Sequence, residues 1–296
     1  MTLRRVTAGI FSAALIGAAV FWLVTTPKSS PPILIEGLVG DADRGAIIFA
    51  AAGCASCHAA PEASGADKLV LSGGLAFASP FGTFYAPNIS SHATEGIGGW
   101  SALDLVNAMR FGTSPDGQHY YPAFPYSSYT RVAPPDIVDL HAYMQTLPAS
   151  DQPSRAHEVG FPFNIRRSLG GWKLLFMASG PVIDTPGLPE SVLRGRYLVE
   201  GLGHCAECHT PRGLLGNLQL SNWLNGAAHP SGKGRIPALR GIDWSEADIA
   251  EYLKSGFTPD FDTAGAEMAD VVENTSKLSD EDRMAIAAYI KALPQP

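Results

Sequence analysis

The stretches Cys54-Ala55-Ser56-Cys57-His58 and Cys205-Ala206-Glu207-Cys208-His209 contain all four cysteines of this 296-residue chain. Both have the pattern C-x-x-C-H, which is the attachment sequence for c-type haem. The two thiols of such a pattern add to the two vinyl groups of one porphyrin, and the next residue brings an imidazole to the iron. The sequence therefore predicts two covalently bound haem c groups, held by Cys54, Cys57, Cys205 and Cys208, with His58 and His209 as iron ligands.

Each C-x-x-C pair is also compatible with half of a zinc site or with a redox-active dithiol. A zinc site would have to join pairs about 150 residues apart in the sequence and would leave both histidines unused. A thioredoxin-like dithiol follows a strand, and no strand pattern precedes either pair. Haem attachment uses every cysteine, so none is left for a disulfide, a catalytic thiol or a cysteine iron ligand.

The chain is an internal duplication. Trp100-Ser101-Ala102-Leu103-Asp104 recurs 144 residues later as Trp244-Ser245-Glu246-Ala247-Asp248. A serine followed three residues later by an acidic residue predicts a helix start, and Gly112 and Gly256 predict the two helix ends. The last helices of the halves, predicted over 136–147 and 282–293, correspond at an offset of 146 residues.

The order of elements in each half predicts an all-α fold, with two tandem class I cytochrome c domains preceded by one N-terminal transmembrane helix. Gly45 and Gly195 allow the helix before each haem sequence to cross closely over Tyr143 or Tyr289 of the last helix. The predicted division is an anchor at 1–28, a first domain at 37–150, a connector at 151–187 and a second domain at 188–296. The connector is too aromatic for a free linker, and we expect it to pack on both domains.

An apolar run from Val6 to Val24 follows Arg4 and Arg5. Nineteen residues of helix are long enough to span the hydrocarbon core of a bilayer, and Trp22 lies where an interfacial aromatic side chain would. A cleaved secretory signal is the alternative, but the run continues past its small residues without a typical cleavage site. Both readings export the remaining chain, so the expected location is the periplasmic side of the inner membrane.

Charge and composition exclude nucleic-acid binding as the function. The chain has 21 Lys and Arg against 28 Asp and Glu, which gives a formal net charge of -7, and it lacks a basic run that could neutralise phosphates. An acidic surface favours a protein partner with a basic docking patch.

The sixth iron ligand distinguishes the two halves. Met268 lies nine residues after Pro259, in the predicted loop before the last helix, and is the candidate ligand of the second iron. The matching position in the first half is Phe124, which has no sulfur. Met268 as a core residue is the alternative.

Other donors for the first iron are Met109, Met144 and His119. Both methionines align with apolar residues of the second half, Leu253 and Ile290, and therefore resemble core positions. His119 lies in the appropriate loop, where it could instead be a surface histidine. The first haem is thus either five-coordinate or bound by a ligand that the repeat does not identify.

Several longer stretches resemble the cytochrome c subunits of membrane-bound bacterial dehydrogenases that act on alcohols, gluconate, sorbitol or aldehydes. They include residues 81–89, 96–100, 121–126, 161–166 and 203–212, and the resemblance covers nearly everything after residue 37. Many members of that family have three haems, whereas this chain has two attachment sequences. Some members have Met where Phe124 stands here.

The resemblance implies a dihaem electron carrier rather than an enzyme. It would take electrons from the large subunit of a periplasmic dehydrogenase and pass them to the quinone pool or a terminal oxidase. The alternative is a dihaem peroxidase or small-molecule oxidoreductase that uses an open coordination site on the first haem. A thiosulfate-oxidising dihaem enzyme with cysteine ligation is disfavoured because no cysteine is spare.

Overall fold

A long first helix, α1 (Thr2–Val24), precedes two helical halves in the computed structural model, which describes residues 2–183, 186–230 and 234–294. The stretch Val6–Val24 has a mean hydropathy of 2.0, and none of it is buried against the rest of the protein. By length and composition this helix can cross a membrane.

The predicted duplication is visible in the helices. At the start of α4 (Ala102–Phe111), Ser101 Oγ accepts from the Asp104 backbone N–H at 3.2 Å, and at the start of α10 (Glu246–Ser255), Ser245 Oγ accepts from the Asp248 backbone N–H at 3.1 Å. Both helices end at a glycine with left-handed backbone dihedral angles, as predicted. The first half contains α2 (Ala42–Ala51), α3 (Cys54–His58), α4 (Ala102–Phe111), α5 (Tyr126–Tyr129) and α6 (Pro134–Met144). The second half contains α8 (Glu190–Tyr197), α9 (Ala206–His209), α10 (Glu246–Ser255), α11 (Glu267–Thr275) and α12 (Asp280–Ala292).

Each half is built on a close crossing between its first and last helices. A Cβ atom on Gly45 of α2 would lie 2.1 Å from a backbone oxygen of α6 and 2.7 Å from Tyr143 Cβ. A Cβ atom on Gly195 of α8 would lie 1.8 Å from a backbone oxygen of α12 and 2.8 Å from Tyr289 Cβ. Only glycine fits at these two contacts, so the predicted crossings are confirmed.

In the part of the chain that the structure describes, two small antiparallel sheets lie outside the helical framework. β1 (Ala76–Ser79), β2 (Gly82–Tyr85) and β3 (Glu158–Val159) form one sheet in this order, with Ala76 opposite Tyr85. β4 (Ala227–Ala228) pairs with β5 (Arg235–Ile236) in the second half. The all-α prediction therefore describes the framework but not these loop regions, where short hairpins satisfy backbone hydrogen bonds without helix.

The connector packs on both halves, as predicted. Its strand β3 pairs with β2 of the first half, and α7 (Ser168–Phe176) follows. On the side of the second half, Trp172 Nε1 donates to the Leu215 carbonyl at 2.9 Å, and the Val182 backbone N–H donates to the Glu200 carboxylate at 2.7 Å. One hydrophobic cluster of buried residues extends through both halves. The halves are thus held against each other.

Candidate haem-attachment sites

A residue in the left-handed conformation precedes each pair of cysteines. Gly53, with φ 60° and ψ 30°, introduces the helical turn of Cys54–His58. His204, with φ 36°, occupies the same place before Cys205. Glycine adopts this conformation readily, whereas histidine does so only when its surroundings hold it there. The turn that follows spaces the two thiols three residues apart, on one side of the helix.

Both candidate iron-binding histidines use one ring nitrogen in the same way. His58 Nδ1 lies 2.9 Å from the Pro87 carbonyl oxygen, and His209 Nδ1 lies 2.8 Å from the Pro237 carbonyl oxygen. Because a carbonyl only accepts, Nδ1 carries the proton and Nε2 keeps its lone pair, which is the form that binds a metal. Burial lowers the pKa of both imidazoles, although the carbonyl hydrogen bond opposes this shift.

Each half therefore offers two thiols and one neutral imidazole with a free Nε2, the donor set that c-type haem requires. Sequence reasoning located the thiols and the imidazoles but not the two proline carbonyls. A backbone acceptor 28 or 29 residues away has no side-chain signal of its own.

The two attachment segments meet across the interface between the halves. The Ala52 carbonyl accepts hydrogen bonds from His204 Nε2 at 3.2 Å and from Tyr129 Oη at 3.1 Å. Asn274 Nδ2 donates to Ser56 Oγ at 2.8 Å, which connects α11 to the residue between the first two cysteines. The spacing of the attachment sequences in the chain gives no indication of this contact.

The four cysteines differ in exposure: Cys54, Cys57 and Cys205 are half-buried, whereas Cys208 is exposed. Burial raises the pKa of Cys54 and of Cys205 to about 12. Burial also raises the pKa of Cys57 to about 11, and the nearby Cys208 thiol adds to this shift. Cys57 and Cys208 belong to different halves, so their mutual influence agrees with the contact between the attachment segments.

The loop that leads to the candidate sixth ligand is built alike in both halves. The Tyr120 backbone N–H donates to the Gly112 carbonyl at 2.7 Å, and the Ala264 backbone N–H donates to the Gly256 carbonyl at 2.8 Å. Both pairs are related by the 144-residue offset of the sequence repeat. The structural correspondence thus extends to four residues before Phe124 and Met268.

Met268 and Phe124 occupy different local structures. Met268 is the second residue of α11 and packs, partly buried, against the core. The prediction that it lies in a loop was wrong, because this loop ends in a helical turn at Glu267. Phe124 packs edge-on against Tyr120 at 6.0 Å and tilted against Tyr129 at 5.7 Å between ring centroids. Aromatic packing replaces a sulfur donor at this position of the first half.

The remaining candidate donors are engaged elsewhere. Met109 of α4 and Met144 of α6 are buried among core residues, in agreement with their predicted role. His119 is buried, its Nε2 lies 2.9 Å from the Thr25 carbonyl oxygen, and its Nδ1 lies 3.1 Å from Lys173 Nζ. Neither nitrogen of His119 is available to an iron, so its candidacy as a ligand was wrong.

A buried carboxylate that sequence reasoning missed connects the halves. Glu200 is 1% exposed and accepts from Tyr289 Oη at 2.6 Å and from the Val182 backbone N–H at 2.7 Å. The Ile183 backbone N–H also donates to this carboxylate at 3.3 Å, and Nε of Arg131, in the first half, lies 3.7 Å from it. The one signal in the sequence is a charged residue inside the apolar run of residues 198–202. Glu200 thereby links the second half, the connector and the first half.

Two family models match the two halves of the chain separately. Residues 42–148 match the family model described as cytochrome c, and residues 190–290 match the one described as cytochrome C oxidase, cbb3-type, subunit III. A protein of Cereibacter sphaeroides named "Diheme cytochrome c-type" is 57% identical over 295 residues, which cover 98% of both chains.

Cytochrome subunits of dehydrogenases are also similar. The fructose dehydrogenase cytochrome subunit of Gluconobacter japonicus is 39% identical, over 85% of this chain and 52% of that subunit. The gluconate 2-dehydrogenase cytochrome c subunit of Pantoea cypripedii is 36% identical, over 84% of this chain and 59% of that subunit. The chain thus spans between half and two thirds of the length of these two relatives.

Proposed function

Because this chain belongs to the dihaem c-type cytochromes, within the family of dehydrogenase cytochrome subunits, we propose that it takes electrons from a dehydrogenase and passes them to the respiratory chain. It carries two covalently bound haem c groups and is an electron-transfer component rather than a catalytic subunit. The observation that carries the proposal is the matched pair of attachment segments, each with a histidine held by a proline carbonyl.

In the proposed arrangement Cys54 and Cys57 hold the first haem, and Cys205 and Cys208 hold the second. His58 and His209 bind the irons through Nε2, and Met268 is the sixth ligand of the second iron. Each haem supplies one-electron redox chemistry. The protein keeps the histidines neutral, excludes water with its buried core and brings the attachment segments into contact, and burial of this kind influences the potential.

The alternative function, an enzyme with an open first haem, derives from Phe124. Its aromatic packing offers no ligand, and His119 is bound elsewhere. The similarity to cytochrome subunits identifies the chain as an electron-transfer component, so the enzyme is not retained.

We further propose that α1 anchors the protein in the inner membrane, with the domains at 37–150 and 188–296 and the connector at 151–187 on the periplasmic side. The length and apolar character of Val6–Val24 support the anchor. The proposed electron donor is the large subunit of a periplasmic dehydrogenase, and the acceptor is the quinone pool or a terminal oxidase. A net charge of -7 favours a basic docking surface on the partner.

The ligand assignment is tested by Met268→Ala in the haem-loaded full chain, with Met284→Ala as control, since Met284 is a partly exposed methionine on α12. We expect Met268→Ala to abolish the sulfur-to-iron absorption band of the oxidised protein and to let carbon monoxide bind the reduced second haem. Met284→Ala should leave both properties unchanged. Persistence of the band in Met268→Ala would contradict the assignment.

The electron-transfer route is tested by isolating the chain from its native membranes under mild detergent. We expect a dehydrogenase to accompany it, and addition of that enzyme's substrate should reduce both haems. If the accompanying dehydrogenase turns over substrate with an artificial acceptor while both haems stay oxidised, the proposed route is wrong.

A further inference from the structure

The residue that follows α1, Thr25, is buried in contact with the first half and the connector. Thr25 is 1% exposed, and its carbonyl accepts from His119 Nε2 at 2.9 Å. Arg167 Nε donates to Thr25 Oγ1 at 3.0 Å. Gly170 lies so close that a Cβ atom there would be 2.4 Å from the Thr25 carbonyl oxygen. These contacts fix the direction in which α1 leaves the domains.

Helix α7 lies against the last turns of the apolar span. The guanidinium of Arg167 sits 4.2 Å from the centroid of the Trp22 ring. A Cβ atom on Gly171 would be 4.0 Å from the Phe21 ring. Phe21 and Trp22 both belong to the span Val6–Val24, so this face of α7 is level with the outer end of the span.

The face of α7 that meets the span carries two uncovered leucines. Leu174 and Leu175 follow Gly171 by three and four residues and therefore share its helix face. They are 53% and 73% exposed. Lys173 points the other way, into the first half, where its Nζ donates to the Gly112 carbonyl at 2.7 Å. Leu174 and Leu175 are thus uncovered on the side of α7 where α1 emerges.

Neighbouring loops extend this apolar surface. Phe161 before α7 is 81% exposed, and Leu214 is 99% exposed in the loop that Trp172 reaches through its hydrogen bond to the Leu215 carbonyl. Soluble proteins rarely expose so many large apolar side chains together without a partner. We define the apolar patch as Phe161, Phe163, Ile165, Leu174, Leu175 and Leu214, all between 41% and 99% exposed.

We propose that the apolar patch lies in the outer surface of the lipid bilayer, with α7 as an interfacial helix beside the anchor. This inference rests on the proposed anchoring by α1. Lipid is the expected occupant because Phe21, which contacts the same face of α7, belongs to the span that lipid surrounds. Exposed leucine side chains that enter the boundary between headgroups and acyl chains gain free energy because their apolar surface is removed from water there. The membrane then holds the two domains in one orientation.

The test uses the full haem-loaded chain in vesicles of phosphatidylethanolamine and phosphatidylglycerol. The photoreactive residue p-benzoylphenylalanine replaces Leu175, Val20 of the span or Met284 of α12 in three separate variants. Met284 lies on a helix that packs on α8 and α10. We expect mass spectrometry after illumination to find phospholipid adducts at positions 20 and 175 but not at position 284.

The outcomes separate the inference from the anchor on which it rests. Adducts at position 20 without adducts at position 175 would overturn the interfacial placement of α7 and leave the anchor intact. The absence of adducts at both positions would overturn the anchor and the inference together. In native membranes, a cross-link from position 175 to a dehydrogenase in place of lipid would also overturn the interfacial placement of α7. Unchanged haem absorption identifies folded variants, and Leu174 serves as the second site if the Leu175 variant does not fold.

Discussion

Replacing Gly195 by alanine has two opposing effects on stability, a gain in helix propensity and a steric clash at the crossing of α8 and α12. On helix propensity alone, Gly195→Ala should stabilise the second half by about 1 kcal/mol. The new Cβ atom would lie 1.8 Å from the Ala285 carbonyl oxygen and 2.8 Å from Tyr289 Cβ. Because packed interiors do not tolerate such overlap, α8 and α12 must separate by at least about 1 Å.

The size of that separation determines how much the free energy of unfolding changes. A gap of about 0.5–1 Å already removes a quarter to a half of the attraction between atoms in contact. Overpacking of a core costs about 1–3 kcal/mol, and a clash with backbone belongs at the upper end of this range. After the gain in helix propensity, we expect Gly195→Ala to lower the free energy of unfolding by about 2 kcal/mol.

Urea unfolding of the haem-loaded chain, followed by circular dichroism, measures this difference. Gly201→Ala is the matched control, because a Cβ atom at Gly201 would meet its nearest atoms, in Arg131 and Val132, only at 3.7 Å. We expect the control to be as stable as the unaltered protein to within about 1 kcal/mol. If Gly195→Ala is equally stable, or if both variants lose the same amount, the crossing does not limit the packing of the second half.

Two further predictions concern charged side chains, Asp139 of the first half and Lys173 of the connector. Burial pushes the pKa of Asp139 up, but hydrogen bonds from Arg44 and from the Asp41 backbone N–H outweigh burial and hold this pKa below its ordinary value. Asp139→Asn should therefore lower the free energy of unfolding by about 1–2 kcal/mol at pH 7. This difference should begin to shrink as the pH falls below about 4, where the carboxylate protonates in the unfolded chain, and it should be lost as the pH falls through the lower pKa of the folded protein. A difference that stays unchanged to pH 3 contradicts this reasoning. Lys173 donates to two carbonyls at the end of α4, so Lys173→Met should cost about 1–3 kcal/mol. Burial lowers the pKa of Lys173 to about 7, so the unfolded chain binds more protons than the folded protein between pH 7 and the ordinary lysine pKa. The difference in free energy of unfolding between the unaltered protein and Lys173→Met should therefore grow as the pH rises through this range. Denaturation midpoints of the two proteins that shift in parallel across pH 6–10 would refute this prediction.

Local signals predicted the helical frame. Ser101 and Ser245 with their acidic partners mark helix starts, because a capping box satisfies the first backbone N–H groups within four residues of sequence. Gly45 and Gly195 likewise predicted the two helix crossings, since a small residue on a helix face permits a second helix to approach closely. Each of these features uses residues near one another in the chain, or repeated in both halves.

The features that the sequence did not reveal depend on distant backbone groups. The Pro87 and Pro237 carbonyls orient His58 and His209, yet any residue type offers a carbonyl. The β1–β2 hairpin was expected as loop, because its four-residue strands are too short to give a clear period. Sequence spacing therefore identified which residues would hold each haem, but not which groups position them.

His119 shows how a departure from the repeat is best interpreted. Backbone bridges pair Thr113 with His119 in the first half and Phe257 with Thr263 in the second, so the two loops have the same shape. Thr263 is exposed, whereas His119 is buried between the end of α1 and Lys173 of the connector. Only the first half contacts α1 at this loop among the residues described, and only there does the position need a donor for the Thr25 carbonyl. In the sequence, His119 is a candidate iron ligand, but in the structure its hydrogen bonds to the Thr25 carbonyl and to Lys173 Nζ explain why a histidine is present. By the same reasoning, a residue that departs from an internal repeat should first be tested for contacts outside the repeat, and only then for a role in chemistry.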